Sequence, residues 1–309
     1  MERGATRRQW LACASLSAGI GAAQPNTRDA RRVAISVDME GISGVVSRAE
    51  DSPGSGEYAQ AQKWLVSDVN AAVQGAVDAG ATYIEVHDTH GGNKRNVPFG
   101  ELHSAAHLVR GGNLFFWEYD TLDSAFGAAF MIGMHTGPLE PGVRSHYFST
   151  EKIRGIRVNG QPVTEGHMTV ALASHFGIPT VLVSGDDRIC QRMQEWSNGQ
   201  IEAVVTKRAL ERNSAITVPL ERTRQEIRAA ASKALKKAPG ARLLGFEKPM
   251  TVEVDFHWPE DSKSVSLIPT VSRLGHTGVR FVAADALQAH KTLIAALMIV
   301  SSPASLGRP

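Results

Sequence analysis

Short apolar runs rich in β-branched residues recur along the first part of the chain, separated by longer polar or mixed segments. These runs are residues 33–37, 83–87, 128–134 and 179–183. Residues 57–79 place apolar side chains at helical spacing, and Gly80 follows them as a stop signal. Continuous apolar runs of this length are typical of strands that are buried on both faces. The alternation of strand and helix therefore predicts an α/β fold with a central, mostly parallel sheet and flanking helices.

The pattern changes beyond residue 190. A long polar helix is predicted over residues 219–238, and a final helix over residues 284–301. The strand-like runs between these helices are residues 251–256, 264–268 and 279–282. We interpret this part of the chain as a smaller α+β subdomain that covers the edge of the main sheet.

These patterns divide the chain into consecutive segments. Residues 31–190 form the predicted α/β domain that carries the candidate site, and residues 191–300 form the α+β subdomain that completes this site. Residues 301–309 are predicted to be a flexible tail.

Three of the predicted strands end in side chains that can bind a cation. Asp38 and Glu40 follow the first strand two residues apart, His90 follows the second, and His135 follows the third. Ligand sites of open α/β sheets lie outside the carboxyl ends of the strands, so we expect these four side chains at one edge of the sheet. Acidic residues at strand ends are also common helix caps and turn formers, which is the alternative for Asp38 and Glu40 taken alone.

A fifth candidate, Glu165, lies beyond a predicted hairpin. Residues 153–163 contain two short apolar runs that turn at Asn159-Gly160, and Asn-Gly is a strong hairpin signal. Glu165 then opens a predicted helix that runs to about residue 176.

Six motifs occur in order along the chain: Ser36-Val-Asp-Met-Glu-Gly-Ile-Ser-Gly44, Asp88-Thr-His90, Gly133-Met-His135, Pro141-Gly-Val-Arg-Ser-His146, Asn159-Gly-Gln-Pro-Val-Thr-Glu165 and Val183-Ser-Gly-Asp-Asp187. With these motifs the chain, from residue 32 to 300, resembles the D-aminopeptidase family associated with dipeptide transport, the DppA-like zinc peptidases. Where that family has Gly-Glu before its last metal ligand, this chain has Thr164-Glu165.

The resemblance implies a set of functional residues and an assembly. The metal ligands that it implies for two zinc ions are Asp38, Glu40, His90, His135 and Glu165. It also implies that His146 is the catalytic residue and that the protein forms a ring-like homo-oligomer. The family labels the position of His146 as a nucleophile, whereas a metal-bound hydroxide would leave proton transfer to this histidine. The sequence leaves both roles open.

The same five ligands balance two zinc ions in number and charge. If Asp38 bridges the ions and the other four residues bind one ion each, a bridging water completes two four-coordinate sites, which Zn²⁺ prefers. Two dications exceed three carboxylates by one positive charge, which a bridging hydroxide neutralises. Zinc lowers the pKa of bound water from about 15.7 to about 7, so this hydroxide is a nucleophile suited to a hydrolase.

The charge of the chain gives no indication of a polyanionic partner. The formal net charge is +2, and Arg3, Arg7 and Arg8 against Glu2 in the first 23 residues account for all of it. The remainder is neutral, so we expect no nucleic-acid partner.

The N-terminus has the features of an export signal. Thr6-Arg7-Arg8-Gln9-Trp10-Leu11 resembles a twin-arginine motif, and small and apolar residues follow it to Ala23. This run is shorter than the roughly 20 residues that a membrane-spanning helix needs, so no integral span is expected. We predict cleavage after Ala23, which removes residues 1–23, and a periplasmic or secreted mature protein. A disordered basic tail on a cytoplasmic protein is the alternative.

These observations favour a zinc-dependent aminopeptidase that hydrolyses the N-terminal bond of short peptides or amino-acid amides by means of a bridging hydroxide. A preference for D-amino acids follows from the resemblance alone. A zinc amidohydrolase acting on another amide is one alternative. A non-catalytic exported peptide-binding protein is the other, although structural zinc sites usually take four protein ligands per ion.

Overall fold

In a computed structural model, which describes residues 29–112 and 121–302, the chain forms two β-sheets with packed helices. The strands of the larger sheet are β1 (Asp29–Val37), β2 (Tyr83–Asp88), β3 (Ala106–Val109), β4 (Phe126–Met134), β7 (Thr180–Asp186), β8 (Glu202–Glu211) and β9 (Ser214–Thr217). Their order across the sheet is β3-β2-β1-β4-β7-β8-β9. All pairings are parallel except that of β8 with β9, so the predicted, mostly parallel sheet is confirmed.

Helices cover both faces of this sheet because alternate strand residues point to opposite sides. The longer helices are α2 (Gly56–Asp78), α3 (Glu165–His175), α4 (Asp187–Trp196) and α5 (Leu220–Lys237), and a short helix α1 (Arg48–Asp51) precedes α2. Phe130 of β4 packs in a core with α2 and α5, whereas its neighbour Met131 packs with α3 and α4. Gly75 lets α2 approach α5, because a Cβ atom there would lie 2.3 Å from the Arg228 carbonyl oxygen.

The smaller sheet is antiparallel. Its strands are β5 (Ile153–Val158), β6 (Gln161–Pro162), β10 (Met250–Phe256), β11 (Ser272–Leu274) and β12 (Gly278–Ala283), in the order β11-β12-β10-β5-β6. Helices α6 (Pro259–Val265) and α7 (Ala286–Ser301) pack on it. Asn159 and Gly160 have φ values of 50° and 79°, as the turn between β5 and β6 requires.

The predicted division of the chain at residue 190 differs from the division into sheets. Residues 202–217 complete the larger sheet, and residues 153–162 belong to the smaller one. The chain thus passes to the smaller sheet, returns to the larger one and crosses again, because strand pairing joins segments that are distant in sequence.

The prediction of a strand over residues 264–268 was wrong. Residues 259–265 form α6, with Pro259 in its first turn together with Glu260 and Asp261. Proline and acidic residues favour a helix N-terminus, and this signal prevails over the short alternation that suggested a strand.

Other predictions concern the two ends of the chain. Ser301 ends α7, whereas the predicted export signal over residues 1–23 and the rest of the predicted tail, from residue 303, lie outside the described residues. Among the described helices, none combines the length and apolarity that crossing a bilayer requires.

Candidate metal centre

The turn after β1 is held against the end of β4 by two close backbone approaches. The Asp38 amide donates to the Ile132 carbonyl at 2.8 Å, and the Gly41 amide donates to the Gly133 carbonyl at 2.8 Å. A Cβ atom on Gly41 would lie 2.0 Å from the Met134 carbonyl oxygen, so a larger residue would separate the two segments. This contact brings the carboxylates after β1 beside the histidine after β4.

Five side chains from four segments meet at this edge of the sheet. Asp38 is central: its Oδ1 lies 2.9 Å from His90 Nδ1, and its Oδ2 lies 3.3 Å from His135 Nε2. Glu40 Oε2 lies 3.1 Å from His90 Nδ1, and Glu165 Oε1 lies 3.5 Å from His135 Nε2. The structure thus brings together all five residues singled out as ligand candidates, in two groups of three that share Asp38, and a third group of potential ligands joins Glu40 and His135 to His146.

Glu165 is directed into this cluster by the start of α3. Thr164 is the N-cap residue of the helix, and its side chain accepts from the His167 amide. The other contact of the Glu165 carboxylate is with the Phe148 amide, which donates to Oε1 at 2.7 Å. The helix N-terminus also favours a negative charge at this position.

Main-chain carbonyls fix the hydrogen of each imidazole. His90 Nε2 lies 2.7 Å from the Asp51 carbonyl oxygen, and His135 Nδ1 lies 2.9 Å from the Thr136 carbonyl oxygen. A carbonyl only accepts, so these nitrogens carry hydrogen, and in a neutral ring the other nitrogen presents a lone pair to the carboxylates. Two lone pairs repel at these distances unless a cation lies between them. Histidines that bind metal ions in proteins have this orientation.

The cluster is buried and strongly acidic. Glu40 is 3% exposed and His135 is 1% exposed, so solvent does little to screen the carboxylates. Burial would lower the pKa of His135, but its contact with Asp38 and the charges of Glu165 and Glu40 raise it to about 10. Burial raises the pKa of Glu165 to about 7. In the metal-free chain protons supply the positive charge, and the donor set of carboxylates and imidazoles fits zinc in their place.

His146 lies beside the two groups. Its ring stacks on His135 with a centroid distance of 4.3 Å, and its Nε2 is 3.8 Å from Glu40 Oε1. Its Nδ1 lies 2.9 Å from the Arg144 carbonyl oxygen, which fixes the hydrogen on Nδ1. In the metal-free chain burial, followed by the neighbouring positive charge of His135, lowers the pKa of His146 to about 3.

Sequence reasoning missed a buried ion pair that supports two of the histidines. Arg144 Nε lies 2.5 Å from Asp51 Oδ2, and both side chains are at most 9% exposed. The carbonyl of Asp51 accepts from His90, and the carbonyl of Arg144 accepts from His146. No local pattern indicates this pair, because its members are 93 residues apart.

Sequence reasoning also missed the support that β8 gives to the turn after β1. Lys207 is fully buried, and its Nζ donates to the carbonyl oxygens of Glu40, at 2.7 Å, and Val45. Thr206 Oγ1 donates to the Gly41 carbonyl at 2.6 Å. A single lysine in a strand is ordinarily solvated, so the sequence around Lys207 did not indicate that its side chain would be buried.

A cavity of about 280 Å³ opens onto the cluster. Asp38, His90, Glu165 and His146 all line it. Its apolar wall consists of Met134, Phe148, Met168, Ile294 and Leu297. A small apolar side chain therefore fits beside the candidate metal centre.

Comparisons with known proteins give matches over most of the chain. The model of the family peptidase M55, described as D-aminopeptidase, matches residues 31–295. A D-aminopeptidase of Bacillus subtilis strain 168 is 27% identical over 281 residues, which cover 84% of this chain and 94% of that protein. A similar solved structure is the zinc-dependent D-aminopeptidase DppA of Bacillus subtilis, described as a self-compartmentalizing protease. The TM-score is 0.82 at 24% identity, over 87% of this chain and 97% of that one.

Proposed function

The chain belongs to the D-aminopeptidase family, peptidase M55, and from this premise we propose that it is a zinc-dependent aminopeptidase. Its proposed substrates are short peptides and amino-acid amides with a free N-terminus, and D-residues are preferred. The family assignment supports the reaction and the stereochemistry.

The proposal that the protein binds zinc rests on the histidine and carboxylate side chains around Asp38. The residues that would hold two zinc ions are Asp38, shared by both groups, with Glu40 and His90 on one side and His135 and Glu165 on the other. Bound zinc supplies Lewis acidity and activates water as a nucleophile near neutral pH.

His146 is suited to proton transfer. His146 lines the cavity, and the hydrogen bond from its Nδ1 to the Arg144 carbonyl fixes the ring. The imidazole can accept a proton as attack begins and donate it to the leaving amine. Its stacking on His135 keeps Nε2 within 3.8 Å of the Glu40 carboxylate.

The carboxylate cluster and the apolar wall together explain a requirement for a free amine. We expect the amino-terminal group to lie beside Asp38 and Glu165, which line the cavity, and the first side chain to lie beside Phe148 and Leu297. Acylation removes the basic lone pair of the amine and adds bulk at the same place. We therefore expect substrates to be cut at the first peptide bond.

The deciding experiment compares D-Ala-D-Ala, L-Ala-L-Ala and N-acetyl-D-Ala-D-Ala as substrates of zinc-loaded protein. We expect kcat/KM for D-Ala-D-Ala to exceed that for the acetylated peptide by at least about 10²-fold, because the site contacts the free amine. Comparable values for these two peptides would instead identify a general zinc amidohydrolase. Binding of all three without hydrolysis would identify a peptide-binding protein.

Two further proposals concern the whole protein. We propose that the twin-arginine-like segment directs export and that the mature chain is periplasmic or secreted. We also propose that the chain assembles into a ring-like homo-oligomer, which the description of the Bacillus subtilis structure as self-compartmentalizing supports. Such an assembly has a mass several times the 33.2 kDa of one chain.

A further inference from the structure

A second cavity lies on another side of His146. Its volume is about 440 Å³, and its lining includes His146, Arg154, Arg188 and Arg212. The cavity at the metal centre also includes His146 but none of these arginines. Among the described residues that line the two cavities, His146 is common to both, so the cavities adjoin at this histidine.

Arg212 is held close to the loop that carries His146. It lies in the turn between β8 and β9, and its backbone carbonyl accepts from the Arg144 amide at 2.8 Å. Its side-chain Nε donates to the carbonyl of Ser145, the residue before His146, at 3.4 Å. The guanidinium therefore contacts the backbone immediately before His146.

The positive charge of Arg212 is incompletely satisfied by the protein. Its Nη2 is buried, and it has no hydrogen-bond acceptor among the residues that the structure describes. The neighbouring carboxylate of Asp51 is already paired with Arg144, at 2.5 and 3.4 Å. Burial, followed by the charge of Arg144, lowers the pKa of Arg212, as expected for a cation without a close counter-charge.

The other two arginines of the cavity differ in this respect. Arg154 lies 3.9 Å from Asp255, and Arg188 lies 3.6 Å from Asp187. Both side chains are also about half exposed, at 55% and 46%. Arg212 is therefore the guanidinium of this cavity best placed to gain from an incoming anion.

We propose that this second cavity receives the leaving side of the substrate and that Arg212 binds the C-terminal carboxylate of a di- or tripeptide. This inference rests on the proposed aminopeptidase function. In a dipeptide the carboxylate lies one residue beyond the scissile bond, and Arg212 and His146 line the same cavity. A guanidinium binds a carboxylate through two parallel, charge-assisted hydrogen bonds, so free short peptides are preferred over peptides with an amidated C-terminus.

The test uses D-Ala-D-Ala and its C-terminal amide, which differ only in the carboxylate. The quantity measured is the ratio of their kcat/KM values, which is independent of the fraction of folded protein in a sample. In R212M we expect this ratio to fall by about 10- to 100-fold, the range for a hydrogen bond to a charged group. R212K keeps the charge without the planar fork, and we expect an intermediate ratio.

Two control variants make the test specific. R188M removes a positive charge from the same cavity, and K94M removes the lysine that lines the cavity at the metal centre. We expect the ratio in both to stay within threefold of the wild-type value.

A fall in K94M but not in R212M, or an equal fall in R188M and R212M, would overturn the assignment to Arg212. If the wild type cleaves both peptides and the ratio is unchanged in R212M, the role of Arg212 is disproved while the proposed aminopeptidase function stands. If it cleaves neither, the proposed function fails too.

Discussion

Asp38 links the two halves of the candidate centre through a single carboxylate. Its two oxygens face different histidines, His90 and His135, and each histidine is oriented by a main-chain carbonyl. Among the five predicted ligands, Asp38 is the one that belongs to both groups of three. Loss of this side chain should therefore affect both metal positions together.

Asp38→Ala tests this dependence. We expect about two zinc ions per wild-type chain, as four-coordinate sites with a shared ligand and solvent require, and loss of both in the variant. Elemental analysis after gel filtration measures the content. Asp78→Ala, which removes an exposed carboxylate paired with Arg228, is the matched control and keeps both ions. One tightly held ion, unaffected by Asp38→Ala, would contradict a dinuclear centre.

His146 is not one of the five predicted ligands, although it also forms a group of three potential ligands with Glu40 and His135. His146→Ala should retain both zinc ions while kcat falls by about 10²–10⁴, the usual contribution of a group that transfers protons. Zinc content and kcat are measured on the same preparation. His175→Ala, at the C-terminal end of α3, is the control and retains wild-type kcat. If zinc is lost from the His146 variant, this histidine is a metal ligand.

At the scale of elements, the position of the centre depends on how the strand ends are held together. The end of β4 contacts the turn after β1 through backbone atoms, and β8 contacts the same turn through side chains. Lys207 provides two of these contacts from the interior, where burial lowers its pKa to about 8 although nearby acids such as Asp186 oppose the shift. The turn that carries two ligand candidates is thus fixed from both sides.

Lys207→Met removes the donor for two buried carbonyl groups and keeps a side chain of similar length. We expect the free energy of unfolding to decrease by about 1–3 kcal/mol per carbonyl left unsatisfied. Zinc affinity should weaken by about 10- to 100-fold, as when other supports of metal ligands are lost. Urea titration and a competing chelator measure the two effects. Lys233→Met, an exposed lysine on α5 that pairs with Glu202, is the control. Unchanged zinc affinity in the Lys207 variant would show that the turn does not need this support.

At the scale of the whole molecule, the two sheets enclose the candidate centre from different sides. The larger sheet supplies its strand ends, whereas α7, which packs on the smaller sheet, supplies Ile294 and Leu297 to the cavity wall. A chain that lacked α7 would leave the cavity open on this side. Both sheets therefore contribute to the proposed substrate site.

Export is also a property of the whole molecule, and it stays a prediction from residues 1–23. Replacing Arg7 and Arg8 by lysine keeps the charge and removes the twin-arginine motif, so we expect the precursor to accumulate in the cytoplasm. Fractionation and N-terminal sequencing measure this result. Wild-type protein outside the cytoplasm should begin near Gln24, and an intact Met1 on the exported form would contradict cleavage.

The sequence by itself determined the larger fold and the members of the candidate centre. Apolar runs marked the strands, and parallel strands of one sheet end at the same edge. Asp38, His90 and His135, each just after such a run, could therefore be grouped before any distance was known. The hairpin at Asn159-Gly160 was predictable because its turn has a local signature.

Only the tertiary structure decided which distant side chains support this centre and where the chain changes sheets. Lys207 donates to carbonyls 162 and 167 residues away, and Asp51 pairs with Arg144 across 93 residues. The placement of β8 and of the 153–162 hairpin likewise depends on their pairing partners. Local periodicity reports which face of an element is buried, but burial of a charge and the choice of a strand's neighbour depend on residues brought together by folding.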